Sequence, residues 1–300
     1  MSINKYYLIG KQKLYHINRS ITGEGVRKTL SIIKNEFSNL NIKKIKSGSK
    51  IFYWNVPPEW NVSEAYVEDK LGNKIIDFKN NNLHLVGYST PINKKIIKNN
   101  LLRKLYFNKK NPNAIPYITS YYTRKWGFCV SYNQFKEIKK KYKKNDFFKV
   151  VIRSKFNNQG HLNYGELILK GKSKKEILIS TYICHPSMAN NELSGSIVSM
   201  CLINYFSKYK FLDKTIRFIF IPETIGSIAY IKKNFKNLKK NVIGGFNLSC
   251  IGDDRIHSCM LTKYKNSISD EALLNTYKKL NIKRFKIYSF LERGSDERQF

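Results

Sequence analysis

The stretch EILISTYICHPSMANNELSGSIVSM, residues 176–200, decides the fold class. It starts as an apolar, β-branched run from Ile177 to Ile183, the pattern of a buried strand. The run stops at His185-Pro186, because proline has no N–H to donate to a sheet ladder. A polar loop follows over Ser187–Glu192. Ser194-Gly195 then opens a second apolar run, Ile197 to Phe206, at helical spacing. A histidine at the carboxyl end of a buried strand, followed by oxygen-bearing side chains and a helix start, is where an open α/β sheet places its chemistry. Taken alone, His185 reads more readily as a surface histidine in a strand-turn-helix, and the rest of the chain shifts that balance.

The chain on either side repeats the theme. FFKVVIRS, ELILKG, TIRFIFIP, VIGGFNLSCIG and KIYSFL read as strands. Helices are expected near 195–208, 225–238 and 269–281. An earlier helix over 20–37 carries Val26, Leu30, Ile33 and Phe37 at a helical period, with Thr22 and Gly25 at its start. Alternating strands and helices with buried runs predict an α/β fold with a mixed, mostly parallel sheet flanked by helices. Residues 47–98 differ. Their short, alternating, aromatic-rich runs are punctuated by Pro57-Pro58, Gly72-Asn73 and Asn80-Asn81-Asn82, which predicts a small antiparallel β lobe. The expected division is an α/β domain over 1–46 and 99–300 with the lobe 47–98 inserted.

Composition narrows the function classes. At 42% hydrophobic and 14% aromatic the 300 residues form a globular chain. No run reaches the roughly 18 apolar residues of a membrane span. The amino terminus lacks a signal-peptide pattern, so the cytoplasm is the expected location. The five cysteines, 129, 184, 201, 250 and 259, form no C-x-x-C pair, and Cys184 and Cys250 read as inert buried thiols beside the site. The net charge of +34 raises a polyanion-binding reading. Yet the excess is mainly lysine, 45 against 10 arginines, scattered on helix faces, so a specific nucleic-acid partner is not expected. Homo-oligomerisation stays open.

Nine segments carry a resemblance: ITGEGVRKTL (21–30), WNVPPEW (54–60), NNLHLVGYSTP (81–91), AIPYITSYYTRKWGFC (114–129), NYGEL (163–167), CHPSMANNELSG (184–195), IPETIGSIAY (221–230), CIGDD (250–254) and ERGSDERQF (292–300). In this order they resemble the aminopeptidase-like domain proteins associated with bacterial polysaccharide biosynthesis, whose fold is related to zinc aminopeptidases and glutaminyl cyclases. The resemblance implies a zinc-dependent hydrolase acting on an amide or aminoacyl substrate. Two alternatives accompany it: an inactive ligand-binding module of the same fold, and a basic polyanion-binding protein. Family members continue into a histidine-containing segment and commonly a winged-helix domain, so a chain shortened after Phe300 is the expectation.

Mapped residue by residue, the family pattern puts His185 at the strand-end metal ligand and Glu223 at the general base. The bridging carboxylate falls on Asn191, with Glu192 one residue on. The second glutamate becomes Thr224 and the strand-end aspartate becomes Ser249. The resemblance therefore implies a reduced zinc site drawn from His185, Glu192, Asp253 and Asp254. Asn191, Asp296 and Glu297 are implied for substrate contact. A co-catalytic site needs neutral histidines, ionised carboxylates and a further carboxylate as base. With so many positions replaced, one weakly held ion is expected rather than two.

Overall fold

The computed structural model describes residues 3–300. They divide into two compact units. The first comprises the chain up to Val56 together with His161–Phe300, and the second is Pro57–Gly160.

The first unit is built on a five-stranded sheet in the order Asn41–Lys46, His161–Leu169, Lys214–Ile221, Ser173–Tyr182, Val242–Asn247. The first two pairings are antiparallel and the last two parallel. The sheet is thus mixed, and the parallel side carries the candidate site. Successive side chains of a strand face opposite ways. Accordingly Ile179, Phe218 and Phe220 join one core with Val26, Leu30, Ile33, Met200 and Ile203. Their neighbours Leu178, Ile219 and Ile221 join the other core with Tyr164, Ala229 and Tyr230. Helices Glu24–Glu36 and Ser194–Phe206 supply the first core, and helix Ile225–Asn241 the second. A cluster of three buried charges, Arg217, Glu166 and Glu176, sits in the sheet. Arg217 reaches Glu176 with two nitrogens at 2.6 and 2.9 Å and Glu166 at 2.7 Å, so it is paired on every strand beside it.

Two local differences from expectation have clear causes. Helix Glu24–Glu36 begins after Gly23, whose φ of 100° suits glycine, and no side chain caps it. The polar loop before Ser194 contains a π-helical turn, Ala189–Leu193, which runs directly into helix Ser194–Phe206. Such wide turns are frequent at functional sites.

The second unit is a four-stranded sheet in the order Lys74–Asp77, Glu59–Glu68, Phe147–Asn157, Ile92–Ile97, antiparallel throughout. Its extent corrects the expected 47–98 lobe at both ends. Strand Phe147–Asn157, which contains FFKVVIRS, is central here, between Glu59–Glu68 and Ile92–Ile97. Its consecutive buried Val150, Val151 and Ile152 give the same signal as a parallel core strand, so its pattern does not disclose its partners. Conversely, Ile51, Trp54 and Val56 pack in the core of the first unit. No helix among the described residues is long and apolar enough to cross a membrane.

Candidate active site

Strands Ser173–Tyr182 and Lys214–Ile221 run parallel and in register, with Tyr182 beside Ile221. The Ile183 N–H continues the ladder to the Ile221 carbonyl at 3.0 Å. Both chains therefore leave the sheet at one edge, and Cys184 and Glu223 emerge together: the Glu223 N–H donates to Cys184 Sγ at 3.2 Å. One residue on, His185 Nε2 stands 3.2 Å from Glu223 Oε2. Tyr182 packs edge-on to the His185 ring at 5.2 Å.

Behind this pair lies a second carboxylate. Glu192, from the π-helical turn, brings Oε2 to His185 Nδ1 at 2.9 Å and also accepts the His185 backbone N–H. Its other oxygen accepts Arg19 Nε at 2.6 Å, with both side chains fully buried. Arg19 Nε also donates to the His185 carbonyl at 3.0 Å, and Nη1 donates to the Leu14 carbonyl at 2.6 Å. Burial opposes a charge on His185, but the Glu192 and Glu223 carboxylates at its two ring nitrogens outweigh it and hold the imidazolium. For Glu223, burial would raise the pKa, and the His185 imidazolium beside it reverses this and keeps the carboxylate ionised.

Glu223 is aimed by an unusual turn. Thr224 has φ 58° and ψ −72°, and the Ile225 N–H reaches back to the Glu223 carbonyl at 2.7 Å. This is a γ-turn of the rare, strained hand, centred on a β-branched residue. Asp296 anchors it by accepting the Thr224 N–H at 2.6 Å. Asp296 is 0% exposed, and burial, aided by the charges of Glu223 and Glu297, pushes its pKa up to about 7.

The other expected site residues go elsewhere. Asp253 binds Arg255, by its backbone and its guanidinium, which holds the acid down at about 2. Asp254 is exposed in the same loop. That loop is tied to Asn190 and Ser194 through Gly252 N at 2.8 Å and Ile251 N at 3.1 Å. Glu297 closes its own turn by accepting the Gly294 and Ser295 N–H groups. Asn191 Nδ2 lies 3.7 Å from Cys250 Sγ, while Oδ1 is buried without a partner. Sequence reasoning missed Arg19, whose only signal was an arginine just before ITGEG.

The residues present do not fit a two-zinc centre. Among the described residues, the group of three ligand-type side chains within 4.8 Å of one another is Cys184, His185 and Glu192. Cys184 is fully buried with its thiol pushed up by that burial, and both Glu192 oxygens are taken by Arg19 and His185. Of the site's ring nitrogens and carboxylates, His185 Nε2 and Glu223 face each other, two donors where about three are needed.

Comparison with known proteins agrees with the fold. The chain is 41% identical over 289 residues to a Clostridium acetobutylicum protein named "Putative polysaccharide biosynthesis protein with aminopeptidase-like domain". The match covers 96% of this chain and 64% of that one, so the chain spans about two thirds of its relative's length. A crystal structure of a "putative peptidase" from Clostridium acetobutylicum superposes with a TM-score of 0.92 at 40% identity, over 100% of this chain and 68% of that one. A zinc aminopeptidase from Bacillus subtilis gives a TM-score of 0.66 at 11% identity, over 96% of this chain and 79% of that one, a likeness of fold alone. A family model matches residues 6–300, and the chain therefore belongs to the family described as "Domain of unknown function (DUF4910)".

Proposed function

We propose that the chain is the peptidase-like domain of a hydrolase acting on an amide or aminoacyl bond in surface polysaccharide biosynthesis, with Glu223 as general base. The observation that carries this reading is the 3.2 Å approach of Glu223 Oε2 to His185 Nε2 at the ends of two parallel strands. Glu223 is ionised and partly open to solvent, so it can take a proton from a water molecule placed beside it. His185, hydrogen-bonded on its far side to Glu192, holds the Glu223 carboxylate in place and carries positive charge where a carbonyl oxygen would gain negative charge. The fold of its aminopeptidase neighbour and the name of its relative support the substrate class.

The test is turnover of a panel of aminoacyl anilides and short peptides by wild type and Glu223→Gln. General-base removal is expected to cost about 10²–10⁴-fold in kcat with the fold intact. Wild-type turnover in Glu223→Gln would remove that residue from the mechanism. A folded wild-type chain that binds such amides without cleaving them would favour a ligand-binding module.

A further inference from the structure

We infer that Arg19 is a positioning residue, which sets the His185 ring against Glu223 by acting through Glu192. The inference rests on the reading of His185 and Glu223 as the reacting pair.

Its basis is the number of points at which one residue is held. The His185 carbonyl accepts from Arg19 Nε at 3.0 Å. The His185 N–H donates to Glu192 Oε2, and Nδ1 meets that same oxygen at 2.9 Å. Glu192 Oε1 in turn accepts from the same Arg19 Nε at 2.6 Å. Backbone and ring of His185 are therefore fixed from one side by two side chains, each 1% exposed. With Nδ1 committed, Nε2 is left facing Glu223.

Stability alone is a weak reason for such an arrangement. Burying a guanidinium and a carboxylate costs hydration, and apolar replacements of buried ion pairs are often neutral or stabilising. Arg19 also leaves Nη2 without a hydrogen-bond partner, a further cost. What the pair supplies is direction. A carboxylate behind a histidine fixes the orientation of its ring and so where the other ring nitrogen points. Both Glu192 oxygens are used for this task, so Glu192 serves as the arm between Arg19 and His185.

Arg19→Lys is the informative variant. It keeps the positive charge but has no N–H at the Nε position, the donor shared by Glu192 and the His185 carbonyl. Two measurements follow. Nitrogen-15 NMR of the His185 ring, assigned with a His185→Gln variant, is expected to lose the hydrogen-bonded Nδ1 signature in Arg19→Lys. Turnover is expected to fall about tenfold or more in kcat while KM changes less than about threefold, because orientation is lost rather than binding. Glu192→Gln is expected to do the same, and it carries the test if Arg19→Lys does not fold. Wild-type ring signals in a folded variant would overturn the role, and so would loss of the fold in both, which would assign the clamp to stability. The ring signals do not depend on turnover. If Glu223→Gln leaves activity unchanged, the proposed function fails while the NMR result still decides the role of Arg19.

Discussion

Gly195→Ala is a perturbation for which local and tertiary physics disagree in sign. Gly195 lies in the first turn of helix Ser194–Phe206. Helix propensity alone favours alanine over glycine by about 1 kcal/mol. A Cβ there would sit 2.0 Å from the Leu248 carbonyl oxygen and 2.3 Å from Thr181 Oγ1. Ordinary contact begins at 3.4 Å, so the carbonyl would have to retreat by about 1.4 Å. It is not free to do so. Leu248 O accepts from Thr181 Oγ1 at 3.0 Å, and Leu248 N donates to Ser180 O at 2.8 Å. Overpacking against fixed backbone costs up to about 3 kcal/mol, and the strained Thr181 hydrogen bond adds about 1 kcal/mol. After the propensity gain, the net expectation is a loss of about 1–3 kcal/mol. Urea unfolding followed by circular dichroism reads this as a lower midpoint at unchanged slope. Gly294→Ala is the control, since an added Cβ there meets nothing within 4 Å, and its expected change is under about 0.5 kcal/mol. A Gly195→Ala protein as stable as wild type would refute the close-approach argument.

Further outcomes are expected at the site. Asp296 has a folded pKa of about 7 against an ordinary 3.8, so between those values the folded chain keeps a proton that the unfolded chain has lost. Its contribution to stability is therefore greatest below about pH 4 and falls as pH rises towards 7. Asp296→Asn keeps the oxygen that accepts Thr224 N–H, and is expected to gain on wild type across that window; an unchanged pH dependence would contradict the buried carboxyl. Zinc measured by mass spectrometry after dialysis is expected well below one ion per chain, and a full, tightly held ion would show that two facing donors suffice.

How far the sequence disclosed these features depends on the range of the physics involved. Strand Ser173–Tyr182 and the helix after it were legible because burial leaves a local pattern, Ile177 to Ile183 and then Ile197 to Phe206. The meeting of His185 with Glu223 was legible too, since parallel neighbours end at one edge. Asp253 was not, because its guanidinium partner, Arg255, is two residues away, and a short local ion pair competes with any distant ligand role. Glu297 is similar, being used by the N–H groups of its own turn. Strand Phe147–Asn157 failed for the opposite reason: its partners lie far off in the chain, and the buried run Val150, Val151 and Ile152 does not name them.

Glu192 combines both difficulties, and it explains why the site takes the form it does. Its partner Arg19 is 173 residues away, so nothing near Glu192 distinguishes a ligand from an arm. Once Arg19 is in place the charges alternate along a line: guanidinium, Glu192 carboxylate, His185 imidazolium, Glu223 carboxylate. Each buried charge is then flanked by its opposite, the condition under which burial is tolerated. An imidazolium between two carboxylates has no lone pair to offer, so a metal ion can take Nε2 only by displacing its proton and the Glu223 contact together. Asn191 and Thr224, the chain neighbours of Glu192 and Glu223, are neutral and add no negative charge that would favour that exchange. His185 and Glu223 are thus left bound to each other, and acid–base chemistry is what such a pair can perform.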